Sequence, residues 1–251
     1  MNVGFKDINK HFGDVHANAD INFSIQSGTI YGILGENGAG KSTLMKILSG
    51  FIQPDSGEIS LDNAVVSIDS PADAIKYGIG MLHQDPLDFP PMQVLDNFIV
   101  GQEGRLVFSH AETITEFREL QEQFGFTLDP QAHVDTLTVG ERQQLEILRL
   151  LWLGARLLIL DEPTTGISAQ QKEKLFTALK LLASQGKTII FVSHKLEDIE
   201  SLCDRVAILR KGCLVGEVSA PYNTDRLIEM MFGKEIKLAE RRSLMQDKVV
   251  F

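Results

Sequence analysis

Gly35-Glu36-Asn37-Gly38-Ala39-Gly40-Lys41-Ser42 has the residue types and spacing for one chemistry, the holding of a chain of phosphates. Glycines let the backbone curl, so that the successive amides of Gly35, Asn37, Gly38, Ala39 and Gly40 point inward at phosphate oxygens. A helix opening at Thr43 adds its positive N-terminal end. Lys41 would reach the β- and γ-phosphates, and the Ser42 hydroxyl would ligate Mg²⁺. Such a loop needs a strand before it and a helix after it. The apolar run Ile30 to Leu34 and the segment from Thr43 meet both needs.

Further along, Leu157-Leu158-Ile159-Leu160 ends in the adjacent carboxylates Asp161 and Glu162. At the C-terminal end of a strand the chain leaves the sheet, and both side chains can then face a ligand crevice. Asp161 would hold the Mg²⁺ shell, and Glu162 would polarise an attacking water as general base. Taken alone, such a pair is more often a solvated loop; beside a complete phosphate loop the balance reverses. His194 follows the apolar run Thr188 to Val192 and is either a surface histidine at a helix start or an imidazole against the γ-phosphate. Gln84 ends the run Gly80-Met81-Leu82 and could reach the metal or water through its amide. His11, His16, His83, His110 and His133 show no ligand spacing and read as structural.

The elements that must position these groups are legible in the hydrophobic periods. Val3 to Ile8 and Ile21 to Ile25 read as strands, and Glu58 to Leu61 and Val65 to Ile68 flank an Asp62-Asn63 hairpin turn. Between Pro90 and Leu153 the pattern becomes helical: Ile114, Phe117, Leu120 and Phe124 share one face, as do Leu145, Leu148 and Trp152. From Leu157 strands alternate with helices near Ala169 to Ser184 and Leu196 to Cys203. Near-continuous apolar strands in that alternation predict a parallel sheet covered on both faces. The reading is an α/β core with a helical insertion and a polar tail after Gly233.

The 251 residues are 43% hydrophobic and 23% charged, the composition of a globular chain of one or two domains. A net charge of -10 argues against general binding to nucleic acid or anionic membranes. Cys203 and Cys213 are too few for a disulfide framework and read as reduced thiols. Arg156 interrupts the longest apolar run, and the polar start Met1 to Lys6 lacks the core of a signal peptide. These features predict a soluble, acidic, cytoplasmic domain.

Leu137 to Gln143 opens the helix carrying Leu145 and Leu148, with Thr138 and Glu141 forming a capping box. This element lies between the phosphate loop and the carboxylate pair, and the order of parts resembles the ATP-binding cassette (ABC) ATPases over almost the whole chain. Gly35 to Ser42 stands where those proteins have Walker A, Gln84 at the Q-loop, Leu137 to Gln143 at the signature, Leu157 to Glu162 at Walker B, and His194 at the switch histidine. Gly35 to Leu48, Gly78 to Gln84 and Val139 to Gln143 are similar, more narrowly, to ATP-binding subunits of bacterial simple-sugar and nucleoside importers. The usual signature reads Leu-Ser-Gly-Gly-Gln, whereas here Thr138, Val139 and Glu141 depart from it, and Ser168 stands where most ABC proteins have Asp.

The resemblance implies an α/β fold: a P-loop NTPase core of ABC type with an antiparallel β subdomain and a helical subdomain insertion. The ATPase domain would be residues 1–232, its helical part about 90–153, and 233–251 a linker. Phe12 would stack on adenine; Thr138 and Gly140 would face nucleotide on a partner. It implies an ATPase using ATP and Mg²⁺ to energise import of a simple sugar or nucleoside. The partners would be a second ABC domain, transmembrane permease subunits reached through an exposed stretch Leu87 to Val94, and indirectly an extracytoplasmic solute-binding protein, with no nucleic acid. The place of work would be the cytoplasmic face of the inner membrane, peripherally. Lys248 to Phe251 repeats the look of Asn2 to Phe5, which suggests the first half of a tandem protein. The rivals are a soluble ABC ATPase acting on DNA or ribosomes, which would carry a coiled-coil insertion or basic arm, and a silent regulator, against which Lys41, Asp161, Glu162 and His194 speak.

Overall fold

Strands that are apolar at every position can be stable only where both faces are covered, and the chain builds its central sheet from such strands. A computed structural model describes residues 1–101 and 110–233. β3 (Ile30–Leu34), β6 (Ile79–Leu82), β7 (Leu157–Asp161) and β8 (Thr188–Ser193) are buried along their whole length. With β9 (Arg205–Arg210) and β10 (Cys213–Ser219) they form a 6-stranded sheet in the order β10-β9-β3-β8-β7-β6. Its strands run parallel except β10, which closes the edge as an antiparallel hairpin with β9.

The two-residue period of a strand assigns neighbours to opposite faces. Leu157 and Ile159 join one core with Tyr31, Ile33, Leu44 and Ile47, while Leu158 and Leu160 join the other with Phe98, Phe117, Leu145 and Leu148. The first core is roofed by a 4-stranded antiparallel sheet, order β2-β1-β4-β5, built from β1 (Val3–Phe12), β2 (Val15–Ile25), β4 (Ser56–Leu61) and β5 (Ala64–Val66). Between the sheets runs α1 (Lys41–Leu48), with α2 (Pro71–Lys76) leading into β6. The second core carries the helical insertion, α3 (Val94–Ile99), α4 (His110–Phe124) and α5 (Val139–Trp152), in which Phe98 lies 5.0 Å from Phe117 and 4.7 Å from Trp152. It also takes α6 (Ala169–Ser184), α7 (Leu196–Leu202) and α8 (Thr224–Phe232).

Several boundaries differ from the sequence expectation, each for a nonlocal reason. α1 begins at Lys41 rather than Thr43, because Gly40, at φ 97, is already its N-cap. β1 runs to Phe12 instead of stopping at Ile8: Lys10, His11 and Phe12 pair with Asn18, His16 and Val15, a pairing their polar sequence does not advertise. β5 ends at Val66, and Ile68 is buried outside the strand. β10 and α8 were not expected at all; β10 is only half covered, so it lacks an apolar run. Val94, expected in an exposed apolar stretch, is fully buried at the start of α3, although Leu87, Phe89 and Met92 are exposed. The resemblance of Lys248 to Phe251 to the first strand lies outside the described residues. No helix among the described residues is long and apolar enough to cross a membrane. Cys203 and Cys213 are free thiols.

Candidate functional site

The sheet order brings the chemistry together. In β3-β8-β7-β6 every strand ends on the same edge, and each end carries one of the groups singled out in the sequence: the phosphate loop after β3, His194 after β8, Asp161 and Glu162 at β7, and Gln84 after β6. The C-terminal edge of a parallel sheet is where α/β folds open a crevice. Here it is a cleft of about 680 Å³, lined by Phe12, Val15, His16, Ala17, Asn37 to Thr43, Gln84, Glu162 and Lys211.

The loop has its shape because no other residue fits at Gly40. Its φ is 97, and a Cβ there would lie 2.2 Å from the Ala17 carbonyl oxygen and 2.7 Å from Asn18 Nδ2. Asn18 is fully buried, and its Nδ2 donates to the Gly40 carbonyl at 3.1 Å. Lys41 is buried across the loop, its Nζ donating to the carbonyls of Gly35 (2.8 Å) and Glu36 (3.0 Å). Burial pulls its pKa below the usual lysine value, against the opposing pull of Glu162, Asp161 and Glu36. The first amides of α1 have no partner carbonyl within the helix and point toward the loop.

Asp161 is buried, and burial pushes its carboxyl above the ordinary range, with a Ser42 hydrogen bond working against that push. Its Oδ1 is buried and makes no hydrogen bond among the described residues. A buried carboxylate oxygen left without a donor, beside a serine hydroxyl, is a donor set of hard oxygens that fits Mg²⁺. Next to it, Glu162 has a left-handed backbone (φ 51), held by its amide donating to Val192 O at 3.0 Å and its carbonyl accepting from Thr165 at 3.2 Å. A non-glycine residue kept in that region is a local strain that the surroundings must impose. The turn aims the Glu162 carboxylate along the cleft, where Oε1 lies 2.9 Å from His194 Nδ1. His194 itself does not line the cleft and meets it through Glu162.

Phe12 is exposed at the cleft with Lys10 Nζ 5.6 Å from its ring centroid, and Gln84, also lining the cleft, is exposed two residues beyond the end of β6. Thr138 and Gly140 are elsewhere. Thr138 caps α5 with the expected reciprocal box, its amide donating to Glu141 Oε2 (2.8 Å) and its hydroxyl accepting from the Glu141 amide (3.3 Å). Gln171 Nε2 donates to the same hydroxyl at 3.0 Å, and Gly140 is buried beside it. Neither residue lines the cleft, so this chain does not bring its own signature to its own phosphate loop.

Sequence reasoning missed Asn18, whose role exists only once β2 packs on the loop, and Lys211, flagged only by the Lys211-Gly212 turn pair. It also missed Asp198. That carboxylate is fully buried, accepts from Thr164 Oγ1 at 2.5 Å and from Lys172, and so ties the segment after Glu162 to the helix after His194.

A family model described as "ABC transporter" matches residues 19–165. Over 247 residues the chain is 36% identical to the nucleoside import ATP-binding protein NupA of Lactococcus lactis subsp. cremoris, covering 97% of this chain and 49% of that protein. It is 41% identical over 234 residues to the ribose import ATP-binding protein RbsA 1 of Rubrobacter xylanophilus, covering 92% and 47%. The chain thus spans about half the length of the curated relatives it matches. Among solved structures, a nucleotide-free ATP-binding cassette from an ABC transporter aligns with a TM-score of 0.81 at 23% identity, over 91% of this chain and 96% of that one. The cbiO1 protein of Clostridium perfringens, part of the ABC transporter complex cbiONQ, aligns at 0.77 and 26% identity over 97% and 98%.

Proposed function

The chain belongs to the ABC transporter family, and from that premise we propose that it binds and hydrolyses Mg-ATP to energise import of a small solute, a simple sugar or a nucleoside. The observation that carries the reading is the buried, donorless Oδ1 of Asp161 beside Ser42, one residue from the Glu162 carboxylate that faces His194. In the curated relatives the printed activities are nucleoside and ribose import, which supports the solute class.

On this reading the amides of Gly35, Asn37, Gly38, Ala39, Gly40 and Thr43 receive the phosphate oxygens, and the Lys41 ammonium sits against the β- and γ-phosphates. Phe12 offers its exposed ring to the adenine. Ser42 and Asp161 hold Mg²⁺, which supplies charge neutralisation at the transferring phosphoryl group. Glu162 accepts the proton of the attacking water, His194 Nδ1 orients that carboxylate, and Gln84 contributes its amide from the β6 end. A water held 3 Å from a fixed base reacts from a prepared geometry, which is where most of the rate in phosphoryl transfer comes from.

The absent element is a signature facing the γ-phosphate. We infer that a second ABC domain supplies it, and that Thr138 and Gly140 at the N-terminus of α5 face nucleotide on that partner in return. In that arrangement residues 1–232 would be the ATPase domain and 233–251 a linker. Leu87, Phe89 and Met92, exposed just after Gln84, would carry closure to transmembrane permease subunits at the cytoplasmic face of the membrane, which an extracytoplasmic solute-binding protein would load.

Calorimetry with excess Mg²⁺ tests the core of this reading: wild type should bind ATP and Lys41→Ala should not, and equal affinity would sink the phosphate-loop assignment. ATPase rate against protein concentration, with light scattering on the same samples, tests the pairing. The expected result is a slow rate for the monomer and a large rise when a second ABC domain with an unaltered signature is added. A fast, strictly monomeric enzyme would overturn it.

A further inference from the structure

Lys211 sits at the tip of the β9–β10 hairpin with a left-handed backbone, φ 51. The residue after it fixes the tip in place. The Gly212 amide donates to Ala39 O of the phosphate loop at 3.1 Å, and its carbonyl accepts from the Ala19 amide at 2.8 Å. A Cβ at Gly212 would lie 2.5 Å from His16 O, so the hairpin is wedged between β2 and the loop with no room to spare. The origin of the Lys211 side chain is therefore set by the same backbone that shapes the anion site.

Two lysines, Lys41 and Lys211, line the cleft, and a third, Lys10, lies over the Phe12 ring beside it. Lys41 is satisfied by the carbonyls of Gly35 and Glu36, and Lys10 is paired with Asp55 at 2.8 Å. Lys211 lines the cleft, is exposed, and makes no hydrogen bond or ion pair with any of the described residues. In a chain of net charge -10 an ammonium without a carboxylate partner, anchored at the rim of a phosphate site, is a preset charge for an anionic ligand.

Its place on the rim selects which part of the ligand. On the nucleotide reading the Ser42 and Glu162 side of the cleft serves the distal phosphates, whereas Lys211 is set beside β2, because a Cβ on the adjoining Gly212 would lie 2.5 Å from His16 O and 3.0 Å from Ala17 O, and the β1–β2 pair that carries His16 also carries Phe12 and Val15. We propose that Lys211 is a further nucleotide-binding residue, donating to the α-phosphate at the nucleoside end of the cleft. This rests on the reading that the cleft holds a nucleotide.

The test is calorimetry of ATP and ADP against the full chain, wild type, Lys211→Asn and Lys211→Arg. Asn keeps the left-handed backbone without the charge, so the fold is retained. Loss of a charge-assisted contact at a half-open rim in Lys211→Asn should weaken Kd for ATP and ADP by the same factor, about three- to tenfold. The variant should also show a shallower dependence of affinity on salt, and Lys211→Arg should bind as wild type does. Unchanged affinity in Lys211→Asn beside a normally binding wild type would overturn this inference alone. A loss confined to ATP would place the lysine at the γ-phosphate and overturn it as well. A folded wild type with no affinity for either nucleotide would overturn the nucleotide reading itself.

Discussion

His194 Nδ1 and Glu162 Oε1 are 2.9 Å apart, and that contact joins the ends of two adjacent parallel strands, β8 and β7. Neither side chain reaches the other through local sequence: they are brought together by the pairing of Asp161 with Val192 and by the left-handed turn at Glu162. A base and its orienting partner should act as a unit. Glu162→Gln keeps size and hydrogen bonding but removes basicity, so turnover should fall by about 10² to 10⁴ with ATP binding retained. His194→Ala should lose rate too, and the double variant should be little worse than Glu162→Gln. Steady-state ATPase assays with a second ABC domain present check this; strictly multiplicative losses would mean the two act independently.

Asp161 makes a prediction about stability. Its folded pKa is raised, chiefly by burial. At acid pH the group is protonated both folded and unfolded and costs nothing; as pH rises through the raised folded value, the native state must take on a buried charge and stability is lost. Asp161→Asn should therefore be more stable than wild type at neutral pH, with the difference closing near about pH 4. Urea melts at the two pH values measure it. Asp161→Asn should also lose the Mg²⁺ dependence of nucleotide binding, since the carboxylate charge that would hold the ion is gone.

Thr138 caps α5 and lies off the phosphate cleft. Thr138→Ala should cost about 1 kcal/mol of stability, the usual worth of a side-chain cap. ATP affinity of the chain alone should stay unchanged while turnover of the paired domains falls. A drop in affinity measured on the isolated chain would show that the signature serves its own cleft.

Asp88, whose side chain is 5% exposed, is gripped by Arg142, with Arg142 Nε donating to Oδ2 at 2.5 Å. This bond holds the guanidinium charged. Arg142→Met would strand a buried carboxylate and should destabilise by about 2 to 4 kcal/mol; changing Asp88 to Leu as well should recover most of that. Urea denaturation of the two variants decides it, and equal stability of single and double variants would show that the ion pair carries no such penalty.

Local signals sufficed where the stabilising partner is also local. The bounds Ile30–Leu34 and Ala169–Ser184 follow from a continuous apolar run and from the alternation of strands with helices after Leu157, and the observed elements have those bounds. The left-handed pair Asp62 (φ 48) and Asn63 (φ 70) makes the turn between β4 and β5 that two such residues between strands favour. The phosphate loop, the carboxylate pair and the capping box were likewise written in consecutive residues.

Tertiary structure alone decided how those parts meet. The order β3-β8-β7-β6 sets the phosphate loop, His194, Glu162 and Gln84 along one edge, although 110 positions separate Gln84 from His194 and 153 separate Lys41 from His194. The same is true of Asn18 under Gly40 and of Lys211 wedged beside Ala39 by Gly212. β10 lies half covered on an edge and carries no buried run, and α8 is fixed by Leu227 and Met231 packing into the core. Period and caps report what a segment does to its own neighbours in sequence. Burial of Asp161, the strain at Glu162 and the charge at Lys211 depend on what packs against them from elsewhere, and that information exists only after the sheet has formed.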